Sequence, residues 1–117
     1  MLEAKRPSIY LQWVNESINQ IKEYLKDLHS FEEFKNDKKT IDAVLMQLIH
    51  IGELINKFHK KYADTYDLDI PYNNIIWFRN FAAHDYFGIN LTIVRKIVKQ
   101  ELPKLQKEIK EFLDKNI

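Results

Sequence analysis

Residues that break regular structure are rare in this chain. It has 117 residues, of which only two are glycine and three are proline. β-Hairpins depend on turn residues of this kind, whereas leucine, isoleucine, lysine and glutamate recur here at helical spacing. The sequence therefore predicts an all-α fold.

The apolar periodicity predicts four main helices and one short helix. Apolar residues return at helical spacing in each long segment, and the residues between them are polar or charged. Ser30 and Glu33 have the spacing of a capping box, which predicts the start of the short helix, ending near Phe34. Pro103 is compatible with the start of a new segment or with a kink. The expected long helices are Ser8–Leu28, Asp37–Tyr62, a helix that Asn73 or Asn74 caps and Gly88 ends, and Leu91–Lys115 after an Asn90 cap.

Gly52 lies inside the apolar stripe of the second long helix. A glycine within a helix costs about 1 kcal/mol relative to alanine. Its presence therefore indicates either a close crossing with another helix or the approach of a ligand. Of the two, packing is the favoured explanation.

Length and composition limit the classes of function. A chain of 117 residues with 45% hydrophobic content fits one domain over residues 1–117. The net charge of +1 gives no global basic field, so any contact with nucleic acid has to be local. The chain has no cysteine, which excludes disulfides and thiolate chemistry. Because the N-terminus lacks the apolar run of a signal peptide and no apolar segment approaches ~18 residues, we expect a soluble, cytoplasmic protein without membrane contact.

The most aromatic stretch, IIWFRNFAAHDYF at residues 75–87, also contains four polar or charged side chains. The chain has fifteen lysines but only three arginines, so Arg79, flanked by Trp77 and Phe81, is not ordinary solubilising charge. Burial of a guanidinium is costly unless it is paired or binds a ligand, and its planar fork suits phosphate. Together with His84, which titrates near neutrality, Arg79 predicts a phosphate clamp beside a proton carrier.

Helix geometry separates these two residues. Asn80 and His84 share a face, whereas Arg79 and His84 are offset by roughly 140°. They can converge if the helix loosens before His84, if the arginine side chain swings round, or if a second subunit supplies the other half. The alternative is structural, with Arg79 paired to Glu53 on the second long helix and His84 capping the end of its own helix.

The remaining histidines and several lysines give weaker signals. His29, His50 and His59 have no ligand-spaced partner, so we expect no metal site. Five lysines could guide a nucleic acid toward Arg79, although a solvated helix face explains them equally well. They are Lys57, Lys60, Lys61, Lys96 and Lys99.

Two segments of the chain resemble the HepT family of the HEPN superfamily. They are QLIHIGE at residues 47–53 and WFRNFAAHDYF at residues 77–87, with Ile70 and Pro71 between them. An isolated Arg-x-x-x-x-His pattern is weak, but Arg-Asn followed by His-Asp-Tyr, after Gly-Glu on the preceding helix, is specific. The resemblance covers essentially the whole chain and implies an antiparallel HEPN-type four-helix bundle with an additional short helix.

The same resemblance implies a metal-independent endoribonuclease, the toxin of a type VII HepT/MNT toxin-antitoxin pair. Arg79 and His84 match the catalytic pair, Asn80 and Glu53 are supporting residues, and neither a metal nor another cofactor is implied. Similar proteins form their site across a homodimer, and an MNT-type nucleotidyltransferase antitoxin can add AMP to the tyrosine that matches Tyr86. Two other functions stay open: a non-catalytic module that binds nucleotide or serves as partner subunit of a minimal nucleotidyltransferase, and a purely structural bundle.

Overall fold

The computed structural model describes residues 6–66, 68–84 and 90–116, with His84 and Asn116 described by their backbone alone. Every regular element within these residues is helical. A π-helical turn joins the last two helices, so that they form one long unit. The predicted all-α bundle of four main helices and one short helix is confirmed. The helices are α1 Pro7–Leu25, α2 Phe31–Lys35, α3 Lys38–Tyr62, α4 Tyr72–His84, α5 Leu91–Lys96 and α6 Leu102–Asn116.

Short polar side chains cap three of the helix starts. Ser30 Oγ accepts the Glu33 N–H at 3.1 Å, which confirms the predicted start of α2. Asp37 Oδ1 accepts the Thr40 N–H at 3.0 Å, and this hydrogen bond holds the pKa of Asp37 below its ordinary value. Asn90 Oδ1 accepts two N–H groups of the first turn of α5, as the sequence predicts.

The start of α4 differs from the prediction. The helix begins at Tyr72, and the Pro71 carbonyl accepts the Ile75 N–H at 3.1 Å. Pro71 therefore takes the capping position that the sequence suggested for an asparagine. Asn73 and Asn74 lie in the first turn instead, where both are exposed.

Pro103 interrupts the last helical region. Its nitrogen cannot donate to the Lys99 carbonyl as an α-helix would require. The preceding turn, Ile97–Glu101, is π-helical, and the Leu102 N–H reaches back to the Ile97 carbonyl. α6 then begins at Leu102 with Pro103 in its first turn, and it continues from α5 through the π-helical turn.

The hydrophobic core lies where the apolar stripes of the long helices meet. α1 and α3 run antiparallel, because Tyr10 packs on Tyr62 with ring centroids 6.2 Å apart while Ser17 lies beside His50. α1 ends at Leu25, earlier than the predicted Leu28, which packs half-buried beyond the helix. The stripes are one-sided, and within the described ranges no helix is long and apolar enough to cross a bilayer. Fully buried side chains include Leu11, Val14, Ile18, Leu48, Ile55 and Phe58.

Candidate active site

α3 and α4 approach each other closely at Gly52. A β-carbon added there would lie 2.2 Å from Cβ and 3.3 Å from Cα of Arg79. Since protein interiors are close-packed, any larger residue would push the two helices apart. The helices run antiparallel, and one end of their contact is marked by the rings of His59 and Tyr72, whose centroids are 4.1 Å apart. The prediction that Gly52 marks a close helix crossing is confirmed.

Two acceptors hold the Arg79 guanidinium. Nη2 donates to Glu53 Oε1 at 3.5 Å, and Nη1 donates to Asn80 Oδ1 at 3.1 Å. A guanidinium has five N–H donors, so these contacts with described residues use two of them. The side chain is thus oriented while keeping donors for an anion.

Arg79 is half-exposed, although its neighbours in the sequence are aromatic. Its side chain is 36% exposed, and that of Glu53 is 41% exposed. Successive residues on a helix point about 100° apart, so aromatic neighbours in the sequence need not surround the arginine. The core face of α4 is formed by other residues, while Trp77 is 48% exposed. Because an exposed ion pair contributes at most about 1 kcal/mol, the Arg79–Glu53 contact orients the guanidinium more than it stabilises the fold.

A groove of about 500 Å³ opens beside Arg79. Its lining carries three cations, one carboxylate and two carboxamides, a composition that suits a polar, anionic ligand. Asn56 and Ile76 were not recognised from the sequence. Asn56 follows Gly52 by four residues, which is the helical spacing that could have identified it. α3 contributes Gly52, Glu53, Asn56, Lys57 and Lys60 to the lining, and α4 contributes Ile76, Arg79 and Asn80.

α4 stays α-helical through His84. Arg79 and His84 therefore keep the offset of roughly 140° around the helix, and loosening before His84 is not observed. Asn80, which we expected to orient His84 or bind phosphate, has its Oδ1 on Arg79, so its amide N–H groups are the donors left for a ligand. The proposed modification site, Tyr86, lies outside the described residues.

Of the five candidate lysines, two line the groove and three do not. Lys57 and Lys60 line the groove beside Arg79. Lys99 instead lines a second pocket, of about 160 Å³, between the end of α1, α2 and α5. Lys61 has its Nζ 5.7 Å from the ring centroid of Tyr62, and Lys96 is exposed on α5. The sequence could not make this distinction.

The three remaining histidines lie apart from one another. His29 lines the second pocket, His50 Nδ1 lies 3.5 Å from Ser17 Oγ, and His59 packs on Tyr72. In the part of the chain that the structure describes, no three histidine or acidic side chains gather as metal ligands would.

Comparison with known proteins places the chain within a family. The sequence model of the family described as ribonuclease HepT-like matches residues 14–112. This chain belongs to the HepT-like family. Both walls of the groove and His84 fall within the region that the HepT-like model matches.

Three relatives illustrate the range of the similarity. A Caldanaerobacter subterraneus subsp. tengcongensis protein named "putative RNase" is 31% identical, over 95% of this chain and 97% of its own length. A Thermococcus cleftensis protein named "probable ribonuclease HepT" is 32% identical, over 83% of this chain and 86% of its own length. A Methanocaldococcus jannaschii protein named "gamma-glutamylcyclotransferase and putative RNase" is 36% identical over 96% of this chain, which spans 51% of that protein. No solved structure matches the chain significantly.

Proposed function

We propose that this HepT-like protein is a metal-independent endoribonuclease whose catalytic residues are Arg79 and His84. The observation that carries the proposal is the helix crossing at Gly52. It presents a guanidinium with free donors to an open polar groove, on a helix that ends at His84. Family membership and the ribonuclease names of three relatives support the same activity.

The chemistry requires groups of these kinds. The 2′-oxygen of RNA bonds to the adjacent phosphorus and the bond from phosphorus to the 5′-oxygen breaks, leaving a 2′,3′-cyclic phosphate and a 5′-hydroxyl. His84 takes the proton from the 2′-hydroxyl and delivers one to the leaving 5′-oxygen. Arg79 donates to the non-bridging oxygens, where negative charge develops. Glu53 and Asn80 support the reaction by orienting the guanidinium.

The activity is tested with purified protein and RNA in the presence of a chelator. The wild type should cleave single-stranded or structured RNA and leave cyclic phosphate ends. His84→Ala should cleave about 10²–10⁴-fold more slowly. His29→Ala, which removes an exposed histidine outside the groove, is the matched control and should cleave like the wild type. Equal cleavage by the His84→Ala protein, or a strict need for added metal, would contradict the mechanism.

The proposal includes a homodimer that completes each site. Because α4 is a regular α-helix up to His84, one copy holds Arg79 and His84 on different sides of the helix. A second copy is the simplest way to bring the missing group to each site. Among the described residues, the most exposed large apolar side chains are Met46 at 62% on α3 and Trp77 at 48% on α4, and a partner copy would cover such surface.

Mixed dimers test whether the site is shared. Arg79→Lys and His84→Ala proteins should each keep at most about 1% of the wild-type activity alone. If one copy supplies the arginine and the other the histidine, mixing them should restore about a quarter of the wild-type activity, since half of the dimers are mixed and each has one intact site. No recovery, despite subunit exchange seen with differently labelled copies, would place both residues of a site in one chain.

The biological role that we propose is that of a toxin restrained by modification. An MNT-type nucleotidyltransferase would transfer AMP from ATP to the Tyr86 hydroxyl, releasing pyrophosphate. Phosphate charge and a nucleotide two residues from His84 would block RNA sterically and electrostatically. Mass spectrometry after incubation with such a transferase and ATP should find adenylate on Tyr86 and none on the Tyr86→Phe protein. Adenylate confined to other residues would contradict this role.

A further inference from the structure

The groove beside Arg79 is asymmetric along α3. Toward the C-terminal end of α3, its lining contains Asn56, Lys57 and Lys60. In the opposite direction, the same stripe of α3 contains the apolar residues Ile49 and Met46. The basic and amide groups that α3 contributes to the described lining of the groove therefore lie on one side of Arg79.

Cations outnumber carboxylates in the lining of the groove. Three cations and one carboxylate line it. The carboxylate, Glu53, lies 3.5 Å from Arg79, and Lys57 and Lys60 are the two cations that α3 adds beside this pair. This local charge is the kind of contact that a chain of net charge +1 needs in order to bind a polyanion.

The spacing of the two lysines fits a nucleic-acid strand. At about 1.5 Å of rise per residue, Lys57 lies roughly 7.5 Å and Lys60 roughly 12 Å along α3 from Gly52, where Arg79 crosses. A strand in helical geometry advances about 3.4 Å per phosphate, so this stretch covers roughly three to four phosphates. Lysine suits such contacts because its ammonium is a point charge on a flexible stem.

We infer that Lys57 and Lys60 bind phosphates roughly two to four positions along the strand from the one that Arg79 holds, so that the RNA strand runs along α3 toward its C-terminal end. The inference rests on the proposed ribonuclease function and adds the direction in which the substrate lies. Lys61, adjacent in sequence to Lys60, lies outside the groove lining with its Nζ over the Tyr62 ring. Both Lys60 and Lys61 occupy the last turn of α3, so a general effect on the helix dipole would involve them equally.

The test measures binding of a single-stranded oligonucleotide with 2′-O-methyl groups, which cannot supply the attacking hydroxyl. Affinity is followed from about 50 to about 200 mM salt, because each lost phosphate contact lowers the slope of log affinity against log salt by about 0.7 for a single strand. Lys57→Gln with Lys60→Gln should lower the slope by about 1.4. The affinity advantage of the wild type over this double variant should then narrow about sevenfold across that salt range. The matched double variant, Lys61→Gln with Lys96→Gln, has the same net charge and should keep the wild-type slope.

Each outcome bears on the inference. Equal slopes for the two double variants, or no binding of the oligonucleotide by the wild type, would overturn it. Thermal unfolding of all variants shows whether a loss of binding reflects a loss of structure. If the salt slopes of the two double variants differ but the wild type does not cleave RNA in chelator, the phosphate contacts of Lys57 and Lys60 stand and the catalytic proposal fails. If the wild type cleaves RNA and the two slopes are equal, only the phosphate contacts of the two lysines are wrong.

Discussion

Two helix contacts of this molecule both contain polar side chains, but they use them differently. Between α1 and α6, Gln106 is 4% exposed; its Nε2 donates to Asn15 and Asn19 at 2.8 Å each, and its Oε1 accepts from Lys22. Between α3 and α4, Arg79 is 36% exposed and uses two of its five donors on described residues.

The difference lies in how completely the polar groups are satisfied. A buried amide with partners for both of its ends holds two helices in register and has little left to offer a ligand. A half-exposed guanidinium with free donors, kept in place by a glycine and two acceptors, contributes little to stability and is available to bind. We therefore expect substitutions of the polar side chains at the α1–α6 contact to affect folding, and substitutions of the polar side chains at the α3–α4 crossing to affect chemistry.

The largest expected effect is that of Arg79→Lys on RNA cleavage. The lysine keeps the positive charge but loses the planar fork, so it cannot donate two parallel hydrogen bonds to the phosphate. Loss of one such donor typically slows an enzyme about 10²–10³-fold, equivalent to about 2.7–4 kcal/mol of barrier. Single-turnover cleavage measures the rate, and urea unfolding measures the stability. Cleavage within threefold of the wild type would remove Arg79 from the site.

Gly52→Ala should affect both stability and cleavage. The added β-carbon would lie 2.2 Å from Arg79 Cβ, so the helices must separate. Overpacking costs up to about 3 kcal/mol, and the better helix propensity of alanine returns about 1 kcal/mol, so the protein should lose about 2 kcal/mol of unfolding free energy.

A double variant identifies the clash itself. Arg79→Gly alone should destabilise the protein through its helix propensity, by about 1 kcal/mol. In the Gly52→Ala background, the same change removes the β-carbon that clashes and should raise stability instead. Additive effects in this cycle would mean that the two positions do not touch, and the crossing described above would be wrong.

These two residues also show how far the sequence alone could lead. The helices, the caps at Ser30 and Asn90 and the close packing at Gly52 follow from local rules of spacing and capping, and all are confirmed. The partner of Gly52 could not be predicted, because it depends on the register between two helices that are distant in sequence.

The same limit applies to exposure and to the lysines. The sequence around Arg79 is aromatic, but whether Arg79 is buried depends on which side of α4 faces the core. Spacing placed Lys57 and Lys61 on one helix, but only the position of α4 shows that one lines the groove and the other does not. The sequence alone thus could not predict the role of residues that depend on a neighbouring helix.

Gln106→Leu should affect stability and leave chemistry unchanged. The leucine preserves most of the buried volume but removes hydrogen bonds to Asn15, Asn19 and Lys22. Each bond contributes about 1 kcal/mol, and the freed partners can turn to water, so the expected loss is about 1–2 kcal/mol in urea unfolding. Cleavage per folded molecule should stay within twofold. A loss of cleavage at unchanged stability would break the contrast between the two contacts.

The smallest expected effect is that of Glu53→Gln on stability. The ion pair with Arg79 spans 3.5 Å and both side chains are more than one-third exposed, so solvent screens it and the free energy of unfolding should change by less than about 1 kcal/mol. The amide oxygen of glutamine can still accept from Arg79, whereas Glu53→Ala removes the acceptor. If Glu53 orients the guanidinium, Glu53→Gln should keep kcat and lower KM, because a negative charge beside the RNA phosphate is removed, and Glu53→Ala should lower kcat. Equal kcat for both variants would leave Asn80 as the residue that holds Arg79.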